Sequence, residues 1–401
     1  MTTRFMDEIS IKEQLRAEGL NPLTVKDISR LMISEKVIRC ESADDVVVGM
    51  GSNRTKDDQI QLIIDGLHLC LEKGKNSLRI VLGRQKDDRK QLEVENAVAL
   101  LIKSIKIDGF RSKVEVDGKS IDLNPKSFNA PKIEGWMKCL NRQENIPEPA
   151  RELEEAICDR NFKWYKNITG GYWSGRVGGL EVCRLRNNNF QLDVGKPGKH
   201  GKNGKVRAEF LNICQQENID PGFFSQSQFN KVASVIRVIA ESRRSGVLNE
   251  SEREHLLESQ ILCGDLAIVS KFGVLKPVCG EHPFQFPVLW EPSAEPRFID
   301  VLMKAGDIPY VVELKEGHSP SEYYRHGITQ AVLYREFIKR AEKVHPWFEE
   351  RGLVPDKCRA VVAFPELAKE NKKHQRLLEQ HKKVAKCFDV EIIELRINKH
   401  T

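Results

Sequence analysis

Two apolar runs in the last third of the chain are interrupted by charged residues. Asp300 stands inside the run FIDVLM, and Glu313 and Lys315 stand in the run YVVELK. A carboxylate buried in a strand is strongly destabilising unless a cation or hydrogen bonds compensate it. Few folds tolerate three such charges close together. We therefore predict two strands whose charged residues serve one common site.

The spacing of these charges predicts their arrangement. Residues i and i+2 of a strand share one face, so Glu313 and Lys315 point the same way and Leu314 points the other way. The short connection KAGDIP predicts a hairpin that sets Asp300 beside them. We expect two carboxylates and one ammonium to converge at the edge of a sheet. The alternative is a half-exposed edge strand whose charges are solvated.

This set of groups suits the hydrolysis of a phosphodiester bond. Carboxylate oxygens are the ligands that Mg²⁺ prefers. A bound metal polarises the phosphate and acidifies water, while a lysine orients that water and offsets developing charge. The residues thus predict a metal-dependent nuclease with Asp300, Glu313 and Lys315 at its catalytic centre.

The C-terminal segment resembles the PD-(D/E)XK nuclease superfamily over most of residues 249–401. An Asp on the second strand and Glu-x-Lys on the third are its signature, matched here by Asp300 and by Glu313 with Lys315. Ile299 stands where the family often has proline. The resemblance implies a restriction-endonuclease-like core, in which helices flank a mixed sheet.

Further positions match the RecB-like branch of this superfamily. Glu258, on a predicted helix, resembles a glutamate that reaches the metal, and Gln330 and Tyr334 match the branch's Gln-x-x-x-Tyr motif. The resemblance implies Mg²⁺ as cofactor, with Mn²⁺ as a substitute, and ligands Glu258, Asp300 and Glu313. It assigns supporting catalytic roles to Gln330 and Tyr334. Alternatively, Glu258 lies on a solvated helix face, and Gln330 and Tyr334 are ordinary helix-surface residues.

The resemblance implies cleavage of nucleic acid and favours DNA over RNA. Two rival interpretations stay open. The chain is an effector that cleaves RNA or tRNA, or it is an inactive nucleic-acid-binding or scaffold protein that keeps the nuclease fold. A role in defence against phage or in repair follows by family association alone.

A glycine-lysine loop at 195–205 carries a concentrated positive charge. Seven basic residues and one acid lie between Arg184 and Arg207, a local net charge of +6 that equals the net charge of the whole chain. We predict that this loop binds phosphates, and the alternative is a solvated connection. Its predicted nucleic-acid-binding residues are Lys196, Lys199, Lys202, Lys205 and Arg207.

Aromatic residues are interleaved with basic ones in WYKNITGGYWSGR at 164–176. Such a segment can stack on nucleobases. More often its aromatics form the core of a β-rich domain, and that interpretation is preferred.

The pattern along the chain predicts an α/β protein with several domains. Residues 1–125 alternate helix and strand, with an Asp117-Gly118 hairpin turn. Residues 126–150 predict a linker, 151–225 a β-rich basic middle domain, and 226–401 the nuclease-like domain. The first helix could open a helix-turn-helix, although generic helix pairs are far commoner.

Composition agrees with a globular chain in the cytoplasm. Hydrophobic residues make up 40% and charged residues 30% of the 401 positions, and no apolar run is long enough for a membrane span. The ten cysteines form no C-x-x-C pair, so we expect reduced thiols rather than a zinc site. Expected partners are nucleic acid and a protein or second copy bound through the N-terminal domain.

Overall fold

The structure of the protein is a computed structural model that contains both helices and strands, with helices the more abundant. Helices make up 44% and strands 27% of it, which confirms the predicted α/β class. The described residues are 5–24, 37–125, 128, 130–141, 146–159, 162–169, 172–186, 189–191, 211–219, 229–245, 250–279, 283–316, 320–365 and 372–397.

Strands and helices follow one another along the described chain. The strands are β1 Leu23–Thr24, β2 Ile38–Glu41, β3 Val46–Met50, β4 Ser77–Leu82, β5 Arg111–Val116, β6 Lys119–Ser120, β7 Phe162–Asn167, β8 Tyr172–Val177, β9 Leu180–Arg186, β10 Asn189–Gln191, β11 Leu266–Ala267, β12 Val269–Ser270, β13 Gly273–Val274, β14 Lys276–Pro277, β15 Phe286–Val288, β16 Arg297–Ile299, β17 Val301–Ala305, β18 Ile308–Leu314, β19 Arg359–Pro365 and β20 Val390–Ile397. The helices are α1 Glu8–Ala17, α2 Lys56–Lys73, α3 Asp88–Lys103, α4 Pro131–Asn141, α5 Glu148–Ile157, α6 (211–216), α7 Phe229–Ser245, α8 Glu250–Leu262, α9 Pro320–Arg340, α10 His345–Glu349 and α11 Lys372–Cys387.

Backbone contacts divide the chain into two compact units. The first unit contains Met1–Ala130, Val288–Arg297 and Gly306–Glu394. The second unit contains Pro131–Pro287, Phe298–Ala305 and Leu395–Thr401. Most of the predicted N-terminal domain and a large part of the predicted nuclease domain therefore lie in the same unit.

A mixed sheet with its strands in chain order, β1 to β6, forms one side of the first unit. Its centre is parallel, because β3, β4 and β5 are joined through α2 and α3, while the neighbours β2 and β6 pair antiparallel. The predicted hairpin turn is confirmed: Asp117 and Gly118 both have positive φ angles, of 47° and 75°. Helix α1 covers the sheet with Ile11 and Leu15.

Helix α2 is capped at both ends by its own sequence. Thr55 caps its amino end in a capping box with Asp58, and Gly74 closes it in the left-handed conformation. The helix is buried around nearly its whole circumference, including the polar residues Gln61 and Asp65. A single apolar stripe predicts one buried face, so a second layer must cover the opposite one.

That second layer is formed by α9 and α11. Helix α9 packs against α2 and α3 on one side and against β18 and β19 on the other. Strands β18 and β19 are parallel, with Glu313 opposite Val362. The first unit thus has helices sandwiched between the N-terminal sheet and the β18–β19 pair.

Two polar contacts join α2 to α9 inside this sandwich. Arg325 donates from Nη1 to Oδ2 of Asp65 at 2.6 Å, and both side chains are almost fully buried. The second contact involves His326, the residue after Arg325 on α9: Gln61 of α2 donates from Nε2 to its Nδ1 at 2.7 Å. A buried, directional pair of this kind fixes the register between two helices that apolar packing alone would leave less defined.

The second unit contains the antiparallel sheet β10-β9-β8-β7. Strands β9 and β10 form a hairpin, with Leu185 opposite Phe190. Helices α5 and α7 pack together over one face of the sheet, and Nε1 of Trp164 donates to the Ala150 carbonyl at 3.0 Å. The core residues shared by this layer include Leu153, Ile157, Phe162, Trp164, Trp173, Cys183, Val232 and Ile236.

Short antiparallel pairs complete the second unit. Strand β14 pairs with β17, β12 with β13, and β11 with the end of β20 at Leu266 and Ile397. Helix α4 occupies much of the segment predicted as a linker at 126–150, and it buries Trp136 and Leu140. Its apolar spacing, rather than the surrounding prolines, decided the local structure.

Two predictions about the chain's organisation lie partly beyond the described residues. The partner helix of the helix-turn-helix alternative falls in 25–36, and the basic loop with Lys196, Lys199, Lys202, Lys205 and Arg207 falls in 192–210. Within the described residues, no helix combines the length and apolarity that crossing a bilayer requires.

The buried contact between Asp65 and Arg325 predicts a large stability effect. Asp65→Ala leaves the Arg325 guanidinium without this carboxylate, so we expect a loss of about 3–5 kcal/mol in the free energy of unfolding. The double variant Asp65→Ala/Arg325→Met should recover much of it. Chemical denaturation followed by circular dichroism measures both.

A surface ion pair of the same unit provides the control. Lys357 and Asp307 lie 2.5 Å apart with about half of each side chain exposed, so Asp307→Ala should lower the free energy of unfolding far less than Asp65→Ala does. Equal effects of Asp65→Ala and Asp307→Ala would show that the buried contact does not hold α2 to α9.

Candidate active site

Glu313, on β18, and Lys315, just after the end of β18, form a buried charged pair. Only 2% of Glu313 and 4% of Lys315 is exposed, and Nζ of Lys315 lies 2.7 Å from Oε1 of Glu313. Strand β18 pairs in parallel with β19, and the Lys315 amide donates to the Ala363 carbonyl at 2.9 Å. The alternative of a half-exposed strand with solvated charges is therefore wrong for these two residues.

Helix α9 approaches β18 closely at a glycine. A Cβ at Gly327 would lie 3.4 Å from Cγ of Lys315 and 3.1 Å from Cγ1 of Val362. The lysine stem therefore runs across the helix at the point where no side chain intervenes. This contact holds the ammonium group beside Glu313.

Gln330 and Tyr334 lie one turn apart on the same helix and contact each other. Nε2 of Gln330 donates to the Tyr334 hydroxyl at 3.0 Å. Tyr334 is 1% exposed and its ring lies 6.4 Å from that of Trp290. Tyr334 is buried, so the alternative of an ordinary helix-surface residue is wrong for it, while Gln330 is half-buried. Oε1 of Gln330 is buried and accepts no hydrogen bond from any described residue.

His326 precedes these residues by one turn and is held in its neutral form. Burial lowers the pKa of its imidazole to about 4, and the nearby positive charge of Lys315 acts in the same direction. A neutral ring can accept through Nδ1, which agrees with the hydrogen bond from Gln61.

Trp290 and Arg297 also lie beside this group, although neither belongs to a motif that the sequence analysis identified. The Arg297 guanidinium stacks on the Trp290 ring at 3.8 Å, and Arg297 Nη2 reaches Asp57 at 2.6 Å. The Trp290 carbonyl accepts a hydrogen bond from the side chain of Asn96. Trp290 ends the apolar run FQFPVLW. No local sequence pattern predicts its contact with Asn96, which lies 194 residues earlier in the chain.

Asp300 and Glu258 belong to the second unit. Asp300 lies in a bend between β16 and β17 and is half-buried, so the prediction that it stands inside a continuous strand was wrong. The break lets the carboxylate keep partial access to solvent, which lowers the desolvation cost.

Glu258 is buried, contrary to the alternative of a solvated helix face. It is 2% exposed, and its Oε2 lies 3.3 Å from Nε2 of Gln285 and 3.5 Å from Nδ1 of His255. The hydrogen bond to Glu258 raises the pKa of His255, and the charge of Asp300 adds to this effect. Asp300 is therefore within electrostatic reach of the same histidine.

The donor chemistry of these carboxylates fits a hard divalent cation. Oε1 of Glu258 is buried and accepts no hydrogen bond within the part of the chain that the structure describes, so it has free capacity as a ligand. The described side chains contain no group of three or more His, Cys, Asp and Glu residues arranged to hold a metal ion. Glu258, Asp300 and Glu313 are thus suitable in chemical type, and their joint action as ligands stays a prediction.

The aromatic segment at 164–176 divides its residues between two faces of the β7–β8 sheet. Trp164 and Trp173 enter the core of the second unit, as the preferred interpretation predicts. Tyr165 and Tyr172 lie on the other face, and each carries a guanidinium on its ring: Arg176 at 4.4 Å and Arg184 at 4.2 Å. The basic residues here are already stacked within the protein.

Comparison with models of protein families, with curated proteins and with solved structures found no match to this chain. The assignment of a function therefore depends on the side chains themselves.

The low pKa of His326 predicts a specific acid sensitivity. The unfolded imidazole titrates near 6.5 and the folded one near 4, so the unfolded state binds more protons between these values. The stabilising effect of a neutral His326 is present above pH 6.5 and is lost as the pH falls towards 4. The loss should reach about 3 kcal/mol.

His326→Asn keeps an acceptor for Gln61 and removes the titration. The free energy of unfolding of the variant should fall less than that of the parent between pH 6.5 and pH 4, as measured by denaturant unfolding at each pH. Parallel curves for the two proteins would contradict a neutral, buried His326.

Proposed function

We propose that the protein is a Mg²⁺-dependent nuclease, in which Mn²⁺ can substitute. The observation that carries the proposal is the buried pair of Glu313, on β18, and Lys315, just after that strand; the pair lies against the helix that presents Gln330 and Tyr334. These four residues are also the ones that match the Glu-x-Lys and Gln-x-x-x-Tyr motifs. A carboxylate, an ammonium and an amide grouped in this way suit a phosphodiester substrate.

Stability alone is a poor explanation for this pair. A buried ion pair seldom improves on well-packed apolar residues of similar volume, because desolvating both charges offsets their attraction. Strand β18 is otherwise apolar and buried from Tyr310 to Leu314. A buried glutamate in this strand and a buried lysine just after it are best explained by chemistry that requires both charges.

Each proposed site residue has a distinct role. Glu258, Asp300 and Glu313 would hold the metal ion through their carboxylate oxygens. The chemistry that Mg²⁺ supplies when bound is polarisation of a phosphate and activation of water. Lys315 orients the attacking water and offsets the charge that develops on the phosphate.

Gln330 and Tyr334 position the substrate backbone rather than react. The hydrogen bond between them holds the amide, and Trp290 packs beside the tyrosine ring, so both polar groups are fixed before substrate binds. DNA is the proposed substrate and the cytoplasm the proposed location, with phage defence or repair as the setting. The loop with Lys196, Lys199, Lys202, Lys205 and Arg207 stays a predicted phosphate contact.

Substitutions that preserve side-chain size test the proposal without creating cavities at the buried positions. Glu313→Gln and Lys315→Met keep the shape of each side chain and remove its charge, and Asp300→Asn removes the third. We expect each to lower cleavage of labelled plasmid, single-stranded DNA or RNA at least about a hundredfold, as loss of a group aimed at transition-state charge does. Gln330→Ala should cost about ten- to a hundredfold.

Glu336→Gln is the matched control. Glu336 is also buried on α9 and is paired with Arg335 and Arg340, but it has no proposed role in the reaction. Its variant should keep full activity at saturating Mg²⁺. Equal activities of Glu313→Gln, Lys315→Met and the parent would refute the proposal, and cleavage confined to RNA would replace the DNA substrate by an RNA one.

A further inference from the structure

The turn at the carboxyl end of β4, in the N-terminal sheet, presents several exposed basic residues. It follows β4 and leads into α3, with the sequence RQKDDRK at 84–90. We call residues 84–90 the basic turn. It leaves the sheet at the carboxyl ends of the parallel strands, which is where open α/β sheets bind their ligands.

The acids of the basic turn are already engaged. Asp87 accepts from the amides of Arg89 and Lys90 and so caps α3, while Asp88 accepts from Arg84 at 2.8 Å. Lys86, Arg89 and Lys90 are exposed, and none has an ion-pair partner among the described residues. Three cations are therefore available to an external polyanion.

The backbone beneath these cations is tightly held. A Cβ at Gly83 would lie 2.0 Å from the Met6 carbonyl oxygen, so this strand end requires glycine. The buried Gln85 side chain donates to the Arg54 carbonyl at 3.0 Å and to Oε1 of Gln59 at 2.8 Å. Since the turn is already ordered, a ligand would not have to order it on binding.

A chain of contacts within the first unit links Glu93, just beyond the basic turn on α3, to the candidate active-site residues. Arg89 precedes Glu93 by one helical turn on α3, and Glu93 accepts from Lys56 at 2.5 Å and from Arg297 at 3.3 Å. Arg297 in turn stacks on Trp290, which lies against Tyr334. The Gln330–Tyr334 pair is thus connected through Trp290 and Arg297 to Glu93, which lies one helical turn after Arg89 on α3.

We infer that the basic turn is a binding surface for the phosphodiester backbone of nucleic acid, and that it guides this backbone towards Tyr334 and Lys315. The statement that the backbone is guided towards Tyr334 and Lys315 rests on the proposed function, whereas binding to the basic turn does not require cleavage. Lysine and arginine contacts to phosphates release counterions whatever the base sequence. The surface therefore gives affinity without sequence preference.

Basic residues near the amino end of β5, in the same sheet, offer a matched control. Lys103, Lys106 and Arg111 are also exposed, also consist of two lysines and one arginine, and have no ion-pair partner among the described residues. They lie at the end of α3 and the start of β5, away from the carboxyl ends of the parallel strands. Replacing either triplet changes the net charge equally.

The experiment compares the triple variants Lys86→Ser/Arg89→Ser/Lys90→Ser and Lys103→Ser/Lys106→Ser/Arg111→Ser in the full chain. Affinity for fluorescent single-stranded DNA, duplex DNA and RNA is measured by anisotropy in EDTA across a salt series. The basic-turn variant should bind at least about tenfold more weakly at low salt, and its log-log salt slope should fall by about 0.7–0.9 for each phosphate that the variant no longer neutralises. The control variant should match the parent.

The outcomes separate this inference from the proposed nuclease activity. An unchanged affinity and slope in the basic-turn variant, or equally weakened binding in both variants, would overturn the binding surface even if the parent cleaves DNA. Weakened binding confined to the basic-turn variant would support the surface even if the parent fails to cleave any substrate with Mg²⁺ or Mn²⁺. Circular dichroism of both variants checks that the fold is retained.

Discussion

Helix α2 is buried from two sides, and the architecture of the first unit depends on this. The apolar stripe of the helix packs on the N-terminal sheet, while Gln61 and Asp65 on its opposite face contact α9. A helix that buries polar residues needs partners for them, because each unpaired donor or acceptor would cost about 1–3 kcal/mol. His326 and Arg325 are those partners. The N-terminal sheet is therefore part of the structure that holds α9, and not an independent appendage.

The other side of helix α9 presents residues that we propose for the active site. Gly327 admits the stem of Lys315, and Gln330 and Tyr334 follow within two turns. Any displacement of α9 would move these groups together, because a well-packed interior transmits small shifts rather than absorbing them. The polar contacts with α2 thus serve the geometry of the candidate site as well as stability. The binding surface that we propose at the basic turn would give the N-terminal sheet a second role, in binding substrate.

In the second unit, a carboxylate is buried without full compensation. Glu258 contacts Gln285 and His255 through one oxygen, while its other oxygen accepts nothing from the described residues. Such an atom is costly to keep, and functional sites are where proteins retain groups of this kind. The neighbouring influence of Asp300 on His255 places a second acid in the same electrostatic environment.

Local sequence determined the elements and the identity of the charged residues. The capping box at Thr55, the left-handed turn at Asp117-Gly118 and the contact between Gln330 and Tyr334 all involve residues within four positions, so short-range geometry suffices to predict them. The burial of Glu313 and Lys315 was implied by their apolar neighbours. Long-range packing alone decided the rest. No local pattern encodes three features: the position of Asp300 in a bend, the burial of Gln61 and Asp65, and the stacking of Arg297 on Trp290. Residues 65 and 325 become neighbours only because two separate βα layers place their helices face to face. Sequence periodicity reports which side of a helix is apolar, but it cannot report which polar residues on the other side will find a partner.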